Sequence, residues 1–349
     1  MNKSKTYIAT PPGATIKEQL KDRGLSQKEF ATRMDMSEKH ISKLINGDVQ
    51  LTPEVAVRLE MVLGVPAKFW NNLESIYRDK LIKVKNENEM DVDIELLKKF
   101  PYKDMEKLQW IQNTSKTEEK VINLRKYFEV VSLTLLEEPQ INRIACRKLN
   151  DSKKSDFALL SWAQKAKLEA REIDVQPINI KLLNEKIPEI RIMTKDLPEE
   201  FTRELKNILA NCGIALVFLP HIKGSGLHGA TFYDGKKIIV GLTVRGKDAD
   251  KFWFSLFHEL AHIVYGHIGQ IDGTTKEDEE KADFFAQNTL IPKSEFSLFI
   301  SNRDFSKKSI INFSNKIKID EGIIVGRLQK EGYIKYYLFN ELKTKYEIS

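Results

Sequence analysis

The chain has 349 residues, 41% of them hydrophobic and 30% charged, with 56 Lys plus Arg against 50 Asp plus Glu and a formal net charge of +6. This length leaves room for two or three domains with ample cores, and the positive charge gives mild support for a polyanionic partner without demonstrating one. The two cysteines, Cys146 and Cys212, form no C-x-x-C pair, so a disulfide-bonded scaffold is excluded at this size.

Apolar periodicity at the amino-terminal end predicts four short helices with compact turns, at residues 16–20, 26–31, 37–45 and 53–63. Ser26 and Ser37 are N-cap candidates, and only Ser26, with Glu29 three residues later, completes a capping box. The apolar face of the second and third helices consists of Phe30, Ala31, Met34, Ile41, Leu44 and Ile45. This is a helix-turn-helix pattern.

The third helix leaves polar side chains on its outer side, where they would face the major groove of DNA. We expect Ser37, Lys39, His40 and Lys43 to contact bases, and Gln27 to position the backbone through a phosphate. The first 80 residues hold thirteen Lys plus Arg and ten Asp plus Glu, so charge alone would not reveal a DNA-binding domain. The alternative is the same scaffold used only for protein contacts.

Two groups of residues carry a resemblance to known helix-turn-helix proteins. Residues 24–31 and 41–47 resemble the repressor-like helix-turn-helix family. Residues 51–56, 58–59 and 69–73 resemble specifically its HigA antitoxin branch, and the whole resemblance covers roughly residues 10–80. It implies a domain that binds operator DNA as a homodimer and often represses its own operon.

Helix-forming residues predominate in the middle of the chain, so residues 81–190 are predicted to be a helical connector between two domains, 10–80 and 191–349. Clustered Asn, Glu and Lys make residues 80–93 the predicted linker. Large apolar residues are spread among the charges of the connector: Trp110, Phe128, Leu149, Phe157, Leu160 and Trp162.

A buried strand and a hairpin are predicted after the connector. Cys212 precedes the apolar run 213–219, which is too short to span a bilayer. Residues 230–233 and 238–240 read as two strands around a glycine turn. The hairpin edge aligns an extended peptide by strand addition, or the hairpin only covers the core; both interpretations stay open.

His258, Glu259 and His262 form the motif H-E-L-A-H on an amphipathic helix, within residues 252–267. Four-residue spacing puts both imidazoles on one helical face, where they can bind one Zn²⁺, and Glu259 can take a proton from the attacking water. This is the chemistry of a metallopeptidase. The alternative is a core helix with two satisfied histidines. His267, five residues after His262, matches no ligand pattern and is left without a role.

A third ligand is expected among the carboxylates at the start of the next helix, residues 277–283. There the sequence resembles zinc peptidases of the gluzincin type, which carry E-x-x-A-D after H-E-x-x-H. The resemblance implies that Glu279 is the third ligand and that Asp283 orients a ligating histidine. The neighbouring acids, Glu277, Asp278 and Glu280, are explained by the helix dipole alone.

More narrowly, residues 229–240, the two zinc motifs and 290–292 resemble the ImmA/IrrE family of intracellular metallopeptidases, over roughly 195–340. That family is associated with cleavage of a repressor or regulator protein. We therefore expect a mostly α protein with a small β-sheet, in the α+β class. The expected function is a DNA-binding, antitoxin-like regulator with a zinc metallopeptidase domain.

The alternative is a non-enzymatic antitoxin or repressor whose peptidase-like domain binds a toxin or senses a ligand. The amino-terminal residues, Met1 to Lys5, are polar and lack a secretion signal. A cytoplasmic protein without a membrane partner is therefore expected.

Overall fold

The computed structural model describes residues 3–138, 153–225, 228–243, 248–268 and 274–346. Cys146 and Leu149 lie outside these ranges. The chain divides into two compact units, Met1–Glu95 and Leu96–Ser349. It is mostly helical, with one three-stranded sheet in the described ranges, which confirms the α+β class. In the same ranges, none of the helices combines the length and the apolar character that crossing a membrane requires.

The first unit contains the four predicted helices and most of a fifth, longer one. They are α1 (Gly13–Asp22), α2 (Gln27–Arg33), α3 (Glu38–Asn46), α4 (Pro53–Leu63) and α5 (Ala67–Leu97). Helix α5 includes residues 80–93, so the predicted linker is helical. Its sequence contains no Gly or Pro that would end a helix. Near the amino terminus, Ser4 and Thr6 bind Glu87 on α5 through their hydroxyl groups.

Helices α1, α2 and α3 pack closely around an apolar core that includes Phe30, Ile41 and the fully buried Trp70. A Cβ at Gly13 would lie 1.9 Å from the carbonyl oxygen of Ile45, so only glycine permits this approach of α1 to α3. Gly47, with φ of 77°, ends α3 in the left-handed region.

Both predicted N-caps of the helix-turn-helix form. The Ser26 hydroxyl accepts a hydrogen bond from the amide of Glu29, and the Ser37 hydroxyl accepts one from the amide of His40. The capping box predicted at Ser26 is wrong in its second half. The Glu29 carboxylate accepts instead from Arg33, 2.7 Å away and one turn further along α2, because the ion pair competes for the same oxygens.

The second unit begins with the rest of the predicted connector and continues into the sheet. Its helices are α6 (Tyr102–Lys107), α7 (Thr117–Phe128), α8 (Lys153–Ala170), α9 (Ile180–Ile192), α10 (Pro198–Asn211), α11 (Ala249–Val264), α12 (Lys276–Leu290), α13 (Lys293–Ser301), α14 (Lys307–Ile317) and α15 (Glu321–Lys330). Its strands are β1 (Ile214–Leu219), β2 (Gly229–Asp234) and β3 (Lys237–Thr243).

The strands lie in the order β1-β3-β2, so β2 is an edge of the described sheet. Strand β1 pairs with β3 in parallel, and β2 pairs with β3 as the predicted hairpin, closed where Asp234 faces Lys237. Gly235 in the turn has φ of 59°, which suits glycine. The predicted strand is β1, and Cys212, just before it, is fully buried.

The sheet lies between α8 and the helix that carries the zinc motif. Ile238, Val240 and Leu242 of β3 join the main core, which includes the buried face of α11. Because side chains alternate along a strand, Gly241 faces the other way. A Cβ there would lie 2.5 Å from the Trp162 ring of α8, so the missing side chain makes room for the indole. Helix α8, which belongs to the predicted connector, thus packs on the sheet through Trp162.

Candidate functional site

Helices α11 and α12 bring together the three residues predicted to hold a metal ion. His258 and His262 lie one turn apart on α11, and their Nε2 atoms are 3.1 Å apart. Glu279, in the first turn of α12, places Oε2 3.3 Å from Nε2 of His258 and Oε1 3.6 Å from Nε2 of His262. These three residues form a candidate metal-binding group, which we call the metal cluster.

The separations between the donor atoms fit a tetrahedral ion. Ligands that bind Zn²⁺ at about 2.0–2.1 Å in tetrahedral geometry lie about 3.3 Å from one another. The separations of 3.1 Å between the two Nε2 atoms and 3.3 Å from His258 to Oε2 of Glu279 are close to this value, and the 3.6 Å separation from His262 is to the other oxygen, Oε1. Two imidazoles and one carboxylate are also the donor set of a catalytic zinc site with one position left for a reactant.

A hydrogen bond on the far side of each ring orients both histidines. Nδ1 of His258 lies 2.9 Å from Oδ1 of Asp283, the residue predicted for this contact. Nδ1 of His262 lies 3.1 Å from Nδ1 of His267, whose Nε2 lies 3.2 Å from Oδ1 of Asp278. Because an ionised carboxylate only accepts, Nε2 of His267 donates to Asp278, which leaves Nδ1 of His267 to accept. Neutral His262 then carries its proton on Nδ1 and presents the Nε2 lone pair to the metal cluster.

The start of α12 is held in place by two threonines. Thr274 donates a 2.6 Å hydrogen bond from its hydroxyl to Oε1 of Glu279. Thr275 and Asp278 form a complete capping box, in which Oδ2 of Asp278 accepts from the Thr275 amide at 3.0 Å. Asp278 therefore begins the helix with one oxygen and contacts His267 with the other, which is more than the predicted dipole role.

Glu259 of α11 is only 8% exposed, because its side chain faces the edge strand β2. Its Oε2 accepts a 2.6 Å hydrogen bond from the hydroxyl of Thr231 on β2. A Cβ at Gly229 would lie 2.8 Å from Cγ and from Oε1 of Glu259, so the strand approaches the carboxylate where it has no side chain. The backbone of β2 and the Thr231 hydroxyl thus hold the side chain in one position.

Burial and neighbouring charges shift the pKa values of all four motif residues. Burial raises the pKa of Glu259 to about 7, against the opposing effects of His258 and Thr231. Burial alone would lower the pKa of His258, but hydrogen bonds to Asp283 and Glu279 outweigh it and raise that pKa to about 9.

Burial, reinforced by the charge of His258, lowers the pKa of His262 to about 4. Burial opposes ionisation of Glu279, yet its hydrogen bonds with His258 and Thr274 lower its pKa to about 2. Neutral His262 and ionised Glu279 can bind a cation directly, whereas His258 releases a proton when a metal ion binds.

The other carboxylates of α12 point elsewhere. Glu277 and Glu280 are exposed and form ion pairs with Lys281, at 2.8 Å, and Lys276, at 3.8 Å. Sequence reasoning assigned no role to Thr231 or His267. The hairpin pattern indicated that Thr231 lies on a strand, but nothing in the sequence indicated which strand residue meets Glu259.

On the first unit, Gln27, Ser37, Lys39 and Lys43 are exposed, and His40 is partly buried. The Ser37 hydroxyl already caps α3, at 3.2 Å from the His40 amide. Lys39 and Lys43 are one helical turn apart, so both ammonium groups can reach a ligand that lies along the outer face of α3.

Part of each of the two units matches a known protein family. A helix-turn-helix family model matches residues 16–70, and an IrrE N-terminal-like domain model matches residues 213–327. The chain is 36% identical over 66 residues to YddM, an uncharacterized helix-turn-helix-type transcriptional regulator of Escherichia coli (strain K12); the match covers 19% of this chain and 70% of that protein.

The fold and the site therefore define a DNA-binding regulator joined to a peptidase-type domain. The chain belongs to the helix-turn-helix family of transcriptional regulators, and its carboxy-terminal unit carries an IrrE-like domain. These two predicted resemblances are confirmed, whereas the HigA branch and the antitoxin role stay predictions.

Proposed function

We propose that this regulator is also a zinc-dependent endopeptidase that cleaves a regulator or partner protein. The observation that carries the proposal is the meeting of His258, His262 and Glu279 beside the buried carboxylate of Glu259. A structural zinc site has four protein ligands and does not require a general base, so the buried carboxylate of Glu259 beside the cluster favours a catalytic site.

Zn²⁺, when bound by the metal cluster, supplies Lewis-acid chemistry at the scissile carbonyl. The chain's own residues perform the proton transfers. Glu259 accepts the proton of the attacking water and then donates it to the leaving amine. The Thr231 hydroxyl holds Oε2 of Glu259, which leaves Oε1 to carry the proton. Asp283 and His267 keep the two imidazoles oriented during both steps.

Substrate alignment is assigned to the edge strand β2. A strand at a sheet edge offers backbone donors and acceptors to an extended peptide. The residue of β2 that holds Glu259, Thr231, lies in the middle of that strand. A peptide added along β2 would therefore pass the metal cluster, which favours peptide alignment over the simpler role of covering the core.

For the first unit, we propose that α3 reads operator DNA through Lys39, His40 and Lys43, with Gln27 on a phosphate. Two copies would bind as a homodimer, since one short recognition helix contacts too few bases for tight binding. The resemblance of residues 51–56, 58–59 and 69–73 to the HigA branch supports an antitoxin-like role, in which the partner is a toxin protein.

Metal content and cleavage together test the peptidase assignment. We expect about one zinc ion per chain in the parent protein and in Glu259→Gln, and a clear loss in Glu279→Ala. Candidate substrates are the proteins encoded beside this one, incubated with each variant and analysed by mass spectrometry for new termini. Glu259→Gln should abolish cleavage that the parent performs; unchanged cleavage would disprove the mechanism. Bound zinc without any cleavage would instead support the non-enzymatic alternative, a toxin-binding or ligand-sensing module.

A further inference from the structure

A cavity of about 800 Å³ in the second unit is lined by residues of both helices that carry the metal cluster. On α11, Phe254 and Ser255 line it one turn before His258, and the ring centroids of Phe254 and His258 are 6.3 Å apart. On α12, Gln287 lines it one turn after Asp283. The cavity wall therefore lies one turn of α11 from His258 and about two turns of α12 from Glu279.

The cavity also extends to the residue before the edge strand. His228, which lines it, directly precedes β2, and its carbonyl oxygen accepts a hydrogen bond from the amide of Thr243 at 2.9 Å. The pairing of β2 with β3 thus extends one residue toward the cavity. An extended peptide aligned along β2 would pass the metal cluster and present a side chain to this space.

The cavity wall carries more basic than acidic residues, and the acidic ones are all in ion pairs. Each acidic residue that lines the cavity is paired with a basic residue that also lines it. These pairs are Asp248 with Lys251 at 2.7 Å, Asp250 with Lys343 at 2.9 Å, and Glu331 with Arg327 at 2.8 Å. The paired residues therefore contribute no net charge to the wall.

Two further lysines, Lys330 and Lys345, line the same space. Within the described ranges, neither forms an ion pair, and the ammonium group of Lys330 lies 4.7 Å from the centre of the Phe254 ring. Both positive charges are therefore uncompensated by the wall. A concave, partly apolar space strengthens the attraction of such charges for an anion compared with an open surface.

We propose that this cavity receives an acidic stretch of the peptide substrate, with Lys330 and Lys345 as specificity-determining residues. The inference rests on the proposed peptidase function. The cavity is larger than a single carboxylate side chain requires, and its wall includes His228, the residue directly before the strand that would carry a peptide. These two features favour a segment of a protein substrate over a small anion.

The test uses full-length Glu259→Gln protein loaded with zinc, so that bound peptide is not cleaved. Two fluorescent peptide pools of equal length share an apolar centre; one has Asp and Glu in its flanks, and the other has Asn and Gln. Fluorescence anisotropy compares this protein with one that also carries Lys330→Gln and Lys345→Gln. A matched control carries Lys293→Gln and Lys308→Gln, which remove two exposed lysines of the same unit away from the cavity.

We expect the acidic pool to bind at least about tenfold more tightly than the neutral pool, an advantage that the cavity variant loses and the control keeps. Equal binding of both pools, or an advantage that survives in the cavity variant, would overturn the proposal. So would a labelled oligonucleotide whose binding depends on Lys330 and Lys345 while the acidic pool does not bind.

The outcomes also separate this proposal from the peptidase assignment. Acidic peptides that bind through the two lysines, with no cleavage by the wild-type protein, would refute the peptidase and leave the cavity as a peptide-binding site. Cleavage by the wild-type protein without any preference for acidic flanks would refute the cavity assignment alone.

Discussion

The hydroxyl of Thr231 donates a 2.6 Å hydrogen bond to Oε2 of Glu259, across 28 residues of sequence. Both side chains are buried, at 1% and 8% exposure, so water does not compete for this contact. The hydrogen bond links β2, the strand that we expect to align the substrate, to Glu259, the residue that we expect to act as the general base. Several variants can test this link separately from metal binding.

Replacing Thr231 with Val keeps the shape of the side chain and removes the hydroxyl. We expect zinc content to stay unchanged and cleavage to fall by about tenfold to a hundredfold, because Glu259 loses its fixed orientation. Thr243→Val is a matched control on the neighbouring strand, since the buried Thr243 hydroxyl has no hydrogen-bond partner in the described structure. Equal rates for the two variants, measured on an identified substrate, would contradict the role of Thr231.

Gly229→Ala adds one methyl group, 2.8 Å from Oε1 of Glu259. Because either the carboxylate or the strand must shift, we expect cleavage to fall by at least about tenfold while zinc remains bound. The control is Gly235→Asn in the hairpin turn, where no other atom lies within 4 Å of the added carbon and Asn tolerates the positive φ. Full activity of Gly229→Ala would mean that the close approach has no catalytic consequence.

His267→Ala removes the hydrogen-bond partner of Nδ1 of His262. We expect zinc affinity to fall by about tenfold to a hundredfold, measured by competition with a chelator of known affinity. His267→Asn offers an amide near the position of Nδ1 and should recover part of the loss. A structural role alone would lower the melting temperature of both variants equally and would leave zinc affinity unchanged in the folded protein.

Lys39→Ala combined with Lys43→Ala removes two neighbouring charges from the outer face of α3. Binding to a labelled fragment of the protein's own promoter should weaken at least about thirtyfold, because each lost contact costs on the order of 1–3 kcal/mol. Lys17→Ala with Lys21→Ala on α1 is the control, since these exposed lysines have the same spacing. Equal retention of promoter DNA by both double variants would refute the assignment of α3 as the recognition helix.

The local features of the fold could be predicted because they depend on neighbouring residues. Ser26 and Ser37 cap α2 and α3, as predicted from a serine directly before a segment with helical periodicity. The capping box at Ser26 failed because Arg33, one turn away, competed for Glu29. The predicted linker at residues 80–93 lies inside helix α5, because a polar composition is compatible with a long helix when no Gly or Pro interrupts it.

By itself, the sequence determined the helix-turn-helix, the hairpin and the placement of His258, Glu259 and His262 on one helix, because a 3.6-residue period acts within a single segment. Only the tertiary structure decided that Thr231 and Gly229 meet Glu259. It also decided that His267 and Asp278 orient His262. Those contacts depend on strand register and on how helices pack, and a one-residue change in either would turn each side chain away from its partner.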